Sequence, residues 1–137
     1  MYIPIHFEAW ELVPPEIYEV MKDHSFLLLK KRLLISIDMI RKHFGAPVWI
    51  NNYEMAGHHR YRGFRQADCE IGAPESQHRL GAAADFDVSG YTAEEVRKEI
   101  LKHKTKFPYI TRMESDVPWV HIDLRRTDNE NIILFKP

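Results

Sequence analysis

Ser76-Gln77-His78-Arg79-Leu80-Gly81-Ala82-Ala83-Ala84-Asp85 is the stretch on which the reading of this chain turns. It sets a histidine and an aspartate seven residues apart across a glycine and a run of alanines. Gly81 permits a tight reversal, and the small side chains after it let backbone and ligands crowd close to an ion. From Ala82 to Val88 the chain reads as a strand, ended by Ser89-Gly90. A second signal is Trp119-Val120-His121-Ile122-Asp123. Strand alternation puts Trp119, His121 and Asp123 on one face, and Val120, Ile122 and Leu124 on the other. A buried face should be apolar, so His and Asp at two-residue spacing predict a polar site on the sheet surface. His78, Asp85 and His121 would supply three protein ligands and leave a fourth position open, as catalytic rather than structural zinc is held.

Outward from this centre, the chain alternates helical and extended signals. Pro14-Pro15 before Glu-Ile-Tyr-Glu-Val-Met-Lys-Asp predicts a helix start, since proline fits the first turn where its missing N–H costs nothing. Leu27, Leu28, Leu34, Ile37 and Ile40 recur at helical spacing and predict a long core helix over 25–43, with Gly45 at a left-handed C-cap. Pro47 to Asn52 reads as a strand. From Tyr53 to Glu75 periodicity vanishes, and Gly57, Gly63, Gly72 and Pro74 punctuate a polar loop whose length points to function. Thr92-Ala-Glu-Glu95 is a capping box opening a helix to about Lys104. Strand-like runs at Tyr109–Glu114, Trp119–Leu124 and Ile132–Phe135 close the chain. The expected fold is α+β, an antiparallel or mixed sheet packed against helices, in one domain spanning 1–137.

Composition narrows the function. The 137 residues carry 19 basic and 20 acidic side chains, a net charge of -1, which argues against a protein built mainly to grip nucleic-acid backbone. The single cysteine, Cys69, excludes an internal disulfide framework and every zinc site made of several thiolates. Any metal must then be held by histidine and carboxylate, and histidine is plentiful at eight copies. The N-terminal segment has no basic region and carries Glu8 and Glu11 before any apolar run, and no stretch approaches the roughly 18 apolar residues of a membrane span. The expectation is a chain cytoplasmic as synthesised, without membrane partners.

The pattern S-x-H-x-x-G-x-A-x-D over Ser76 to Asp85, with the later W-x-H at Trp119 to His121, resembles the zinc D-Ala-D-Ala carboxypeptidase and phage endolysin L-alanyl-D-glutamate peptidase family. That family shares its fold with the Hedgehog signalling domain. The resemblance extends over about Phe7 to Asp123, and it implies that His78, Asp85 and His121 bind Zn(2+). It further implies a general base, an acidic residue shortly before the last histidine. Many members carry it three residues before, where this chain has Pro118, so the available acids are Glu114, the favoured one, and Asp116. An arginine in an S-G-Y-R-like segment usually binds the substrate carboxylate, and in Arg62-Gly63-Phe64-Arg65 the matching residue is Arg65. Ser76 would line the same pocket. Trp119 is expected to pack, with substrate stacking as its second role, and Asp123 or a backbone carbonyl is expected to orient a ligating ring.

The implied activity is hydrolysis of peptide bonds in peptidoglycan stem peptides, as a D,D- or L,D-carboxypeptidase or endopeptidase in cell-wall lysis or remodelling. Without a signal segment, wall access is expected through phage-type release or a separate release or wall-targeting protein; a cytoplasmic recycling enzyme would look the same. Two other readings stand beside it. One is a catalytically inactive binding module of the same fold with a structural metal. The other takes His58-His-Arg60-Tyr-Arg62-Gly-Phe-Arg65, where basic and aromatic residues alternate, as a single-stranded nucleic-acid groove.

Overall fold

The computed structural model describes residues 1–73 and 75–137. Its α-helices are α1 (Pro15–Met21), α2 (Lys31–Phe44) and α3 (Ala93–Lys102). Its strands are β1 (Val48–Trp49), β2 (Ala83–Val88), β3 (Arg112–Glu114), β4 (Val120–Asp123) and β5 (Ile133–Phe135). They form one sheet in the order β1-β2-β4-β3-β5, antiparallel throughout except for the parallel β3–β5 edge. The fold is α+β with a mixed sheet.

The two faces of that sheet differ as the alternation predicts. Ala84, Phe86 and Val88 of β2, Met113 of β3 and Val120 and Ile122 of β4 join one apolar core. Leu33, Leu34, Ile37 and Ile40 of α2 and Val96 and Ile100 of α3 complete it, each a buried side chain contributing roughly 1.5–3 kcal/mol of transfer free energy. On the opposite face stand Asp85, His121 and Asp123, buried but polar. The helices cover one side of the sheet and leave the other to chemistry.

Local signals set the element ends. Pro15 occupies the first turn of α1. Thr92 and Glu95 form the expected capping box, with Thr92 N–H donating to Glu95 at 2.8 Å and Glu95 N–H to the Thr92 hydroxyl at 3.1 Å. Gly45 ends α2 in the left-handed conformation.

The predicted core helix over 25–43 needs correcting at its start. Lys22–Leu28 is a 3-10 segment, Leu29 and Lys30 are extended, and α2 begins at Lys31. The physical reason is the motif turn itself. Lys30 N–H donates to the Gly81 carbonyl at 2.8 Å, and Gly81 (φ 67) sits so close that a Cβ there would lie 2.0 Å from the Leu28 carbonyl oxygen. A continuous helix would have spent the Lys30 N–H internally. Leu27, expected in the core, is accordingly 61% exposed, while Phe26 and Leu29 are buried. The strands are also shorter than their apolar runs: β1 keeps two residues of Pro47–Asn52, and β3 keeps three of Tyr109–Glu114.

Candidate metal centre and cleft

Residues 53–73 and 75 form a loop containing only a short 3-10 turn at Tyr53–Met55; Pro74 lies outside the described residues. Arg79 pins it, donating to the carbonyls of Ala67 at 2.8 Å and of Cys69. Together with the polar face of the sheet the loop bounds a cleft of about 500 Å³. His78, Asp85 and His121 line its floor.

His78 rides on the 3-10 turn Gln77–Leu80, between Ser76 and Gly81. The Ser76 hydroxyl accepts the His78 backbone N–H at 3.3 Å, so the first residue of the motif caps the turn that presents the histidine. The ring nitrogen Nδ1 lies 2.8 Å from the Gly63 carbonyl oxygen. A carbonyl only accepts, so Nδ1 carries a proton and Nε2 is the nitrogen turned toward the cleft. That Nε2 stands 3.3 Å from Asp85 Oδ2.

Asp85 and His121 are directly opposed partners of β2 and β4. Asp85 Oδ1 lies 2.7 Å from His121 Nδ1, and on the far side of the ring Nε2 lies 2.9 Å from Asp123 Oδ2. Asp123 is wholly buried and is clamped by Arg112, whose Nε and Nη2 donate to its carboxylate at 3.0 and 2.8 Å. The Arg112 guanidinium in turn stacks 4.1 Å over the Phe135 ring. Burial opposes protonation of His121, yet the hydrogen bonds its ring donates to Asp123 and Asp85 outweigh it and push its pKa up to about 9 in the metal-free chain. Burial likewise favours the neutral form of each aspartate and is overcome. Hydrogen bonds with His121 and His78 hold Asp85 well below the usual carboxylate range, and those with His121 and Arg112 bring Asp123 to about 2.

These donors fit a divalent cation. At bond lengths of about 2.0–2.2 Å, ligands on a tetrahedron lie about 3.3 Å apart. The observed separations of 3.3 and 2.7 Å from Asp85 to the two imidazole nitrogens are near that spacing. All three ligand atoms lie within 4.8 Å of one another, all three side chains are buried, and each ring has its other nitrogen tied to an acceptor. With both rings neutral, the arrangement would present two lone pairs and a carboxylate to one point.

Around this point the structure distributes the other sequence candidates unequally. Glu114, Arg65, Ser76 and Trp119 all line the cleft. Among the described residues no hydrogen bond holds the Glu114 carboxylate. Asp116 is exposed, adopts a positive φ of 60°, and is not among the residues lining the cleft. Arg65 is buried, donating from Nε to the Tyr61 carbonyl at 2.7 Å and from Nη2 to Asp85 at 3.3 Å. Burial lowers its pKa and the neighbouring Asp85 raises it, with the lowering dominant. Trp119 is half-buried, and its indole N–H is enclosed with no partner among the described residues. The basic and aromatic alternation at 58–65 does not form a stripe of free cations: Arg62 is bound to Asp87 at 2.7 Å, and Arg65 turns into the cleft.

Three residues of the cleft's support escaped the sequence reading. Arg112 shares a strand face with Glu114, which period-two alternation of β3 could have shown. Arg125 lines the cleft, with its side chain donating to the Glu75 carbonyl at 3.1 Å and its backbone N–H to Asp123 at 3.1 Å. Arg97 of α3 donates to the carbonyls of Trp119 at 2.9 Å and Val117 at 3.3 Å, shaping the turn before β4. Its one local partner is Glu94, at 3.1 Å on the same helix, and nothing local marks its contacts with backbone atoms some twenty residues away.

Two imidazoles and a carboxylate thus converge on the polar face of an α+β sheet as a donor set that could hold a metal ion. A family model described as Peptidase M15 matches residues 15–123, and the chain belongs to that family, the zinc D-Ala-D-Ala carboxypeptidase and endolysin-like peptidases. It is a metallopeptidase by family. No curated protein and no solved structure gives a significant match.

Proposed function

We propose that this chain is a zinc-dependent peptidase that cleaves peptide bonds in the stem peptides of bacterial peptidoglycan, with His78, Asp85 and His121 as the metal ligands. The observation that carries the reading is the convergence of His78 Nε2, Asp85 and His121 Nδ1 in a cleft that Glu114 also lines. A zinc ion held there would act as a Lewis acid toward a scissile carbonyl and a water molecule. Glu114 serves as general base: its carboxylate takes a proton from the attacking water as the C–O bond forms, then gives it to the amine nitrogen as the C–N bond breaks. Support for Glu114 over Asp116 comes from its place in the cleft lining.

Arg65 offers its planar fork to a substrate carboxylate, terminal or side-chain, with the enclosed Trp119 flank and Ser76 completing the walls. Both a carboxypeptidase and an endopeptidase meet that description. No helix of the described residues is long and apolar enough to cross a membrane.

The test compares hydrolysis of purified muropeptides by wild type, Glu114→Gln and Asp116→Asn, each assayed for bound zinc. Turnover should fall by about 10²–10⁴ in Glu114→Gln with zinc retained, and stay near wild type in Asp116→Asn. A zinc-loaded wild type that leaves every muropeptide intact would sink the enzymatic reading and leave a metal-holding binding module.

A further inference from the structure

Away from the cleft, the ends of two helices bring together a second set of nitrogen and oxygen donors. His43 lies in the last turn of α2 and His103 caps the C-terminus of α3, four residues after Glu99 on the same helix. His43 Nε2 stands 2.9 Å from Glu99 Oε1, and His103 Nε2 stands 3.1 Å from that same oxygen. The three ligand atoms lie within 4.8 Å of one another. We propose that His43, Glu99 and His103 form a second divalent transition-metal site, of the zinc class, that ties the C-terminal ends of α2 and α3 together.

Several independent features favour a cation at this place. The spacing from the shared oxygen to each nitrogen is close to the ligand separation of about 3.3 Å expected on a zinc tetrahedron. His43 and Glu99 lie in the last turns of their helices and His103 is the C-cap of α3, near carbonyl-rich negative ends that add to the charge of Glu99. Two imidazoles and one carboxylate suit zinc, nickel or copper rather than calcium or magnesium, which prefer all-oxygen shells. The His43 ring is held in place, packing edge-on against Phe44 and Phe107 with ring centroids 5.2 and 5.5 Å away. The His103 ring sits 5.0 Å from it. All three residues are half-buried, so an ion can enter from solvent and keep water in its remaining positions. Lys102 opposes binding, and its influence on Glu99 is weaker than that of either histidine contact.

Without an ion, one carboxylate oxygen serves two ring nitrogens. With one, each histidine places its proton on Nδ1 and gives the Nε2 lone pair to the metal. The site is separate from the cleft in sequence and in donors, so it stands or falls apart from the peptidase reading.

Titration of the full chain with Zn(2+), read as equivalents retained against a competing chelator, tests it. Wild type should bind two equivalents, and the second should raise the thermal unfolding midpoint. His103→Ala and Glu99→Gln, both at accessible helix positions, should each lose one equivalent and the added thermal shift while keeping the cleft ion. His78→Ala should lose the other equivalent and keep this one. His43→Ala is a third arm, read only with a folded far-UV spectrum, because its ring is packed. Wild-type zinc that is lost entirely in His78→Ala, or a stoichiometry unchanged in both His103→Ala and Glu99→Gln, overturns the assignment.

Discussion

His78 is oriented by a neutral backbone carbonyl, that of Gly63, whereas His121 is oriented by a buried carboxylate, that of Asp123, which Arg112 clamps in turn. The two halves of one donor set therefore rest on different physics. The His78 half depends on loop conformation: Ser76 caps its turn, and Gly63 and Arg65 run alongside it. The His121 half is a pair of charged side chains, Arg112 and Asp123, that links the Phe135 ring to the imidazole. A backbone acceptor fixes geometry without adding charge. A carboxylate acceptor fixes geometry and also makes the ring a more basic ligand.

The largest expected effect treats the halves as equals. His78→Ala and His121→Ala should each abolish tight zinc binding in the cleft and all peptidase turnover, measured by metal analysis and muropeptide hydrolysis. Retained cleft zinc in either variant would break the proposed donor set. A smaller change separates the halves: Asp123→Asn should weaken zinc affinity by about 10–100-fold while Gly63 still orients His78. An unchanged affinity would mean that the carboxylate only positions the ring.

Stability against pH sharpens the contrast further in the metal-free chain. The raised pKa of His121 contributes stability that is fully present below its unfolded value of about 6.5 and is lost as pH rises toward 9. The depressed carboxyls of Asp85 and Asp123 contribute stability present above about 4 and lost as pH falls below it. Denaturant midpoints should therefore peak between about pH 4 and 6.5. Asp123→Asn should move the alkaline fall to lower pH. Gly63→Ala, whose Cβ would meet the Leu12 carbonyl oxygen at 2.2 Å, should lower the midpoint at every pH and leave the shape of the profile alone. If both variants shift the alkaline limb equally, the division into a charged and a neutral half fails. The smallest effect belongs to Asp116→Asn, exposed at its turn, which should change stability by no more than about 0.5 kcal/mol in thermal or urea unfolding.

Much of this centre was legible in the chain before any coordinates. Residue types at fixed spacing carried His78, Asp85 and His121, and strand alternation carried the division between an apolar and a polar sheet face. Capping chemistry carried the start of α3 at Thr92 and the end of α2 at Gly45. What escaped was non-local. The break before α2 follows from Gly81 reaching back to Lys30 across fifty residues of chain, and a periodic apolar pattern runs through that break undisturbed. Arg97 and Arg112 act on partners that proximity in sequence does not reveal. Glu114 and Asp116 could not be separated by spacing alone, since the turn between β3 and β4 decides which of them meets the cleft.

The pairing of Asp85 with His121 across β2 and β4 has a consequence for how the chain finds its structure. A slip of one residue between these strands would set Val120 or Ile122 opposite Asp85 and turn the histidine to the helix-covered side. Such a misaligned sheet could no longer gather the three donors. An ion that binds only the correct alignment would withdraw that alignment from the mixture, and so would act as a proofreader of strand pairing as well as a reagent.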